Sequence, residues 1–182
     1  MALTPTLPYN ELISDNQLPP VHCIERYGLY LRRYKTGIET GMEDNQTESA
    51  QSQRPIIVFD AMCVLCSANA QFVLNNDRRG CVLLASMQGE IGSTIYRKLG
   101  IDPTAPDTMV VVTGDIALSD SDAVLSIYEG LGWPWRNLSI IKLIPRVIRD
   151  PAYRLIARNR YRIFGKRDVC WLPTPDQASR VL

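Results

Sequence analysis

The sequence predicts one α/β domain with elements in the order strand, helix, strand, helix, strand, strand, helix, followed by a basic helical segment. Three observations predict it. Apolar runs of strand length recur at residues 56–59, 81–85 and 108–113. The segments after the first two carry apolar residues at helical spacing. A Gly114-Asp115 turn is all that separates the third run from a fourth, which makes that last strand pair antiparallel.

The elements follow in order. Residues 1–54 are rich in Pro, Thr, Asn, Gln, Glu and Ser, a composition that buries little apolar surface, and they read as a disordered N-terminal extension. Within it residues 24–35 form a short basic amphipathic stretch, and Met42 is a candidate natural start. Ile56, Ile57, Val58 and Phe59 form a continuous apolar run, as expected of a strand covered on both faces. Leu65, Ala68, Phe72 and Val73 mark a first helix that stops in the polar cluster NNDRRG. The run beginning at Cys81 is the second strand. Ile91, Ile95 and Leu99 line a second helix, with Gly100 placed to end it. The run TMVVVT is the third strand and IAL the fourth. Ser119 and Asp120 are placed to cap a third helix that buries Val124, Ile127, Tyr128 and Leu131. Helical crossovers make the first two strands parallel. That order is the minimal core of a thioredoxin-like fold of the glutaredoxin type, assigned to residues 55–182.

The tail of the domain has another character. From residue 136 to 168 there are ten Lys and Arg (136, 142, 146, 149, 154, 158, 160, 162, 166, 167) and two Asp. Ile141, Ile144 and Ile148, then Leu155 and Ile156, suggest two helices split near Asp150-Pro151. The segment reads as a solvated helical face or as a docking site for an acidic partner, with an anionic lipid surface or nucleic acid as further options. No nucleic-acid motif accompanies the arginines, so nucleic acid is not expected.

Several function classes fall away. The chain of 182 residues has a net charge of +1, so global charge marks neither nucleic acid nor membrane as a partner. No apolar run reaches the roughly 20 residues that span a bilayer, and no secretory signal opens the chain, which makes the cytoplasm the default compartment. In that compartment structural disulfides are not expected. The single histidine, His22, lies far upstream of the domain, so a hydrolase triad and a histidine-ligated zinc site lack their imidazole. Phe59-Asp60 resembles the opening of haloacid dehalogenase-like phosphatases, but their second acid is replaced by Met62.

The chemistry concentrates in DAMCVLC, residues 60–66. Cys63 stands where a helix begins. Unpaired backbone N–H groups and the positive end of the helix dipole there favour thiolate over thiol. Cys66 follows one turn later on the same side, at a Cα separation of roughly 5–6 Å that a disulfide tolerates. Cys63 is therefore expected to attack a target disulfide and Cys66 to resolve the mixed intermediate. Asp60 is expected either to cap the helix or to carry a proton for the resolving thiol, while its charge opposes ionisation of Cys63. No cofactor beyond the cysteine pair is expected, and the substrate is a protein disulfide or a small thiol compound. A zinc or iron–sulfur site would need Cys81 or Cys170 beside the pair, and Cys81 opens an apolar strand, so redox chemistry is the better reading. A third possibility makes the core a scaffold and the basic helices the working part.

Asp60-x-x-Cys63-x-x-Cys66 after an apolar strand resembles the DCC-type thiol–disulfide oxidoreductases. The resemblance continues in Ser121, Ala123-Val124-Leu125, Trp135, IPRVIRD, ARNRYRIFGKRD, Cys170 and Pro173-Thr174-Pro175. It implies a thioredoxin-like domain with protein-disulfide reductase activity, to which the helical C-terminal segment belongs. The family usually has Gly after the Asp, where this chain has Ala61. Ala would be strained there if the backbone needed a positive φ. Pro106 is the candidate for the cis-proline that borders the dithiol in thioredoxin-like folds.

Overall fold

A computed structural model describes residues 54–104, 108–114 and 116–182. Residues 1–53 of the N-terminal extension, including His22 and Met42, lie outside the described residues, as do Pro106 and the Asp115 half of the expected turn. Arg54, the last residue of the extension, is buried and donates to the Cys81 and Gly80 carbonyls.

The elements are β1 (Ile56–Phe59), α1 (Val64–Asn76), β2 (Leu83–Ser86), α2 (Glu90–Lys98), β3 (Val110–Thr113), β4 (Ile116–Ser119) and α3 (Asp120–Leu131). A 3-10 helix (Trp135–Leu143), α4 (Arg146–Phe164) and a second 3-10 helix (Pro175–Arg180) complete the chain. The sheet order is β2-β1-β3-β4. β1 pairs parallel with β2 and antiparallel with β3, and β3 pairs antiparallel with β4. This mixed α/β arrangement is compatible with a thioredoxin-like fold.

β1 is buried along its whole length, as its unbroken apolar run requires. Its alternate residues serve two cores. Ile57 and Phe59 pack with Ala70, Val73 and Leu74 of α1 and with Ala123, Ile127 and Leu131 of α3. Ile56 and Val58 face Ile95 and Tyr96 of α2. The Tyr96 hydroxyl, buried in that second core, donates to the Thr108 carbonyl at 2.9 Å, so the phenol is satisfied. Helix α2 ends as its sequence suggests, with Gly100 at φ +71° just beyond Leu99. The outer edge of β2 is covered where Val181 bridges Leu84 and the Leu182 N–H donates to the Leu84 carbonyl at 2.8 Å.

The structure corrects three expectations. Ser119 occupies the N-cap position of α3 but makes no side-chain cap, and Asp120 at φ +55° turns its carboxylate toward Arg154 instead. The C-terminal segment does not break at Pro151. It breaks at Ile144-Pro145, where Ile144 is held extended (ψ 124°) before a proline whose fixed φ starts α4. Pro151 sits in the second turn of α4 and costs the helix one hydrogen bond. The apolar residues of this segment also do not form a core face. Ile141, Ile144, Ile148, Leu155 and Ile156 are all exposed.

What holds α4 down is charge. Arg149 and Arg146 pair with Asp122, Arg154 with Asp120 and Arg160 with Asp60. Two of those acids lie in the first turn of α3, where a carboxylate also suits the helix dipole. Part of the basic segment thus folds inward.

Candidate active site

The loop from β1 to α1 builds the site. Asp60 leaves the end of β1, and the Cys63 N–H closes a turn on the Asp60 carbonyl at 3.3 Å. Cys63 is the N-cap residue of α1 (φ −81°, ψ 126°), and its Sγ accepts the Cys66 backbone N–H at 3.2 Å. A sulfur therefore does the work that a Ser or Asp oxygen does at most helix starts. Cys66 is one turn on and half-buried, so the helix start brings the two cysteines together as their spacing demands.

Their electrostatics are unequal. The Cys66 thiol donating to Cys63 is the largest influence on Cys63. Burial and the Asp60 charge oppose ionisation there, while the Cys66 N–H and Arg160 favour it. The net effect brings the Cys63 thiol down from 9.0 to about 7. Cys66 moves upward, first because it donates to Cys63, then through burial and the neighbouring Cys63 charge. The pair carries one readily formed negative charge, centred on Cys63.

Asp60 does not cap the helix, because Cys63 does. Its Oδ1 accepts the Met62 N–H at 3.0 Å and Gln88 Nε2 at 2.7 Å. Its Oδ2 accepts Arg160 Nη2 at 3.0 Å, Arg160 Nε at 3.2 Å and the Tyr161 hydroxyl. Burial alone would raise the carboxyl, but Tyr161, Gln88, Arg160 and the Met62 N–H together hold it below the usual carboxylate range. Asp60 in turn helps raise the Tyr161 phenol to about 12, after burial.

The sequence gives Arg160, Tyr161 and Gln88 no role beside Asp60. Arg160 and Tyr161 were hidden in a run of arginines a hundred positions from Asp60, and only their place in ARNRYRIFGKRD hinted at a role. Gln88 carried no signal at all.

Access differs from the expected arrangement. Cys63 is 0% exposed. Residues 165–171 lie across it as an antiparallel strap. Lys166 bridges Cys63, the Val64 N–H donates to the Gly165 carbonyl at 3.4 Å, and the Arg167 N–H donates to the Met62 carbonyl at 2.7 Å. The Trp171 N–H adds a bond to the Ala61 carbonyl at 3.1 Å. Cys66 instead lines a cavity of about 290 Å³ between the sheet, α1, α3 and α4. Its walls are mainly apolar and aromatic, with Asp60 and Arg160 among the polar groups.

Ala61 is unstrained, since among the described non-glycine residues only Asp120 has a positive φ. Cys170 places its sulfur 3.3 Å from Met62 Sδ. Cys81 is buried, but it lies two residues before β2 and does not open the strand. Among the described residues no group of three or more metal-ligating side chains converges.

Residues 57–166 match the family described as DCC1-like thiol-disulfide oxidoreductase. The chain is also similar to the uncharacterized protein YuxK of Bacillus subtilis, at 32% identity over 134 residues, covering 74% of this chain and 98% of that protein. A chloroplastic DCC family protein of Arabidopsis thaliana is 32% identical over 123 residues, covering 67% of this chain and 72% of its own length. No solved structure matches.

Proposed function

Because this chain belongs to the DCC1-like thiol-disulfide oxidoreductase family, we propose that it reduces disulfides, protein disulfides foremost, through the pair Cys63 and Cys66. The observation that carries this reading is the N-cap sulfur of Cys63, stabilised as thiolate by the Cys66 thiol and N–H with a pKa of about 7. The Cys63 thiolate attacks one sulfur of the substrate disulfide. An S–S bond forms between Cys63 and that sulfur, and the other leaves as thiolate. The departing thiolate takes the proton of Cys66. Cys66 then attacks Cys63 Sγ, expels the second substrate thiolate and leaves the pair as a disulfide. Two electrons pass to the substrate, and two equivalents of an external thiol, or one external dithiol, restore the pair and leave as a disulfide.

Asp60 acts here as a positioning residue. Its oxygens are occupied by donors and its carboxyl is held ionised, which suits an anchor for Arg160 and the Met62 N–H better than a proton carrier. The strap over Cys63 must withdraw, or be displaced by the substrate backbone, before attack. The cavity beside Cys66 then offers room for an apolar group next to the substrate sulfur.

The test counts thiols by mass spectrometry after oxidation and reduction, with alkylation rate measured against pH. Reversible loss of two thiols and an alkylation midpoint near 7 support the reading. Cys63→Ser should abolish exchange, and Cys66→Ser should trap mixed disulfides. A midpoint near that of a free thiol, with no reversible loss, would refute it.

A further inference from the structure

Asp60 and Arg160 form a buried ion pair beside the dithiol, with side chains 4% and 11% exposed. Arg160 reaches in from α4, and its guanidinium has little freedom. Nε and Nη2 donate to Asp60 Oδ2 at 3.2 and 3.0 Å, and Nη1 donates to the Ala157 carbonyl at 3.0 Å. Its Cζ stands 4.8 Å from the centre of the Tyr161 ring. Asp60 is held from its own side by the Met62 N–H and Gln88. Two opposite charges fixed in this way make a dipole of set direction.

The two sulfurs lie differently against that dipole. Cys66, Asp60 and Arg160 line one cavity, where the other titratable groups are the phenols of Tyr96, Tyr128 and Tyr153. Burial raises all three phenols, so they stay neutral. Among the described residues lining the cavity, Arg160 is the one cation and Asp60 the one anion. Cys66 is pushed up first by its hydrogen bond to Cys63, then by burial and the Cys63 charge, and of the ion pair Arg160 acts on it more strongly than Asp60. At Cys63, behind the hydrogen bond from Cys66 and burial, that ranking is reversed and Asp60 outweighs Arg160. The chain agrees, because the Asp60 carbonyl takes the Cys63 N–H within one turn. The anionic end of the pair thus acts mainly on Cys63 and the cationic end on Cys66.

We propose that this dipole directs the second step of exchange, with Arg160 making Cys66 the resolving nucleophile once Cys63 is held in the mixed disulfide. This rests on the redox reading and assigns a residue to its resolving step. With Cys63 bonded to the substrate sulfur, its charge and its hydrogen bond to the Cys66 thiol are gone. Burial still holds the Cys66 proton, and Arg160 opposes it. The proton goes to the substrate thiolate released first. The Cys66 thiolate then forms the S–S bond to Cys63, the bond from Cys63 to substrate breaks, and the second substrate sulfur leaves with its electron pair. Asp60 opposes return of charge to Cys63.

The test reads each alkylation midpoint against pH by residue-resolved mass spectrometry of full-length protein. Cys63 is read in a Cys66→Ser background. Cys66 is read in a Cys63→Ser background, where position 63 is neutral as it is in the mixed disulfide. The strap residues Lys166, Arg167 and Cys170 stay in place throughout. Double substitution D60N/R160Q removes both charges and should move the midpoints in opposite directions, Cys63 down and Cys66 up. A loosened site would instead bring both toward the value of a free thiol. In the two-cysteine chain, D60N/R160Q should lengthen the life of a mixed disulfide with a small aromatic disulfide several-fold. Asp60→Asn alone serves if the double variant does not fold, and should lower the Cys63 midpoint further than that of Cys66. Midpoints that move together in the double variant overturn the proposal, as does a Cys66 midpoint that falls there. So does Asp60→Asn lowering Cys66 as far as Cys63. An unsubstituted chain that never loses two thiols reversibly defeats the redox reading itself, whatever the midpoints do.

Discussion

Cys63 shows how one side chain inherits chemistry from its backbone position. At the N-cap its sulfur receives an N–H that would otherwise lack a partner, and it is also the acceptor of the Cys66 thiol. A folded-state pKa of about 7 against 9.0 gives a definite pH signature. Below pH 7 the thiol is protonated in both states and adds nothing. Between about 7 and 9 it is ionised only when folded, so stability from this group grows with pH and is lost as pH falls through 7. Urea unfolding at the two pH values should show the unsubstituted chain gaining over Cys63→Ser as pH rises. Asp60→Asn separates stability from reactivity. It leaves Arg160, buried and paired with Asp60, without its counter-charge, at a cost of about 3 kcal/mol. It also removes a charge that opposes Cys63 ionisation, so the alkylation midpoint should move below 7.

Among the elements, the strap and the β2–α2 corner are the most constrained. The Arg167 N–H donates to the Met62 carbonyl at 2.7 Å, and proline has no N–H to give. Arg167→Pro should loosen the strap and speed iodoacetamide alkylation of Cys63 several-fold at pH 8, where the thiolate fraction is already high. An unchanged rate would mean that the strap is not what shields the sulfur. At the corner, a Cβ on Gly92 would lie 2.1 Å from the Ser86 carbonyl oxygen, far inside contact distance. Gly92→Ala must push α2 away from β2 and should cost about 1–3 kcal/mol in urea unfolding, despite the better helix propensity of Ala.

For the whole molecule, the main question is how a helix whose large aliphatic residues are exposed stays docked. Ion pairs to Asp60, Asp120 and Asp122 answer it, with Tyr153 adding a hydroxyl bond to the Met109 N–H at 3.1 Å. The same docking closes the cavity beside Cys66, because α4 supplies one wall and α3 another. Val124→Phe projects into open volume and not into packed core, so its effect on stability should stay within about 1.5 kcal/mol. In a Cys63→Ser background it should slow the reaction of Cys66 with a small apolar disulfide, followed by release of the coloured thiol. Equal rates would show that reagents reach Cys66 by another path.

The sequence by itself determined whatever depends on near neighbours in the chain. Apolar runs and periods placed β1, α1, β2, α2, β3, β4 and α3, and the three-residue spacing placed both cysteines at one helix start. Those signals are local because hydrogen bonds within a helix, and the alternation of a strand, act over a few residues. Only the tertiary structure decided which groups meet across the chain. It joined Asp60 to Arg160 and Tyr161, laid residues 165–171 over Cys63 and turned the aliphatic residues of α4 outward. Periodicity reports that a helix has an apolar side but not whether anything covers it. A single buried carboxylate leaves no mark that would pick out its arginine from the ten in the C-terminal segment.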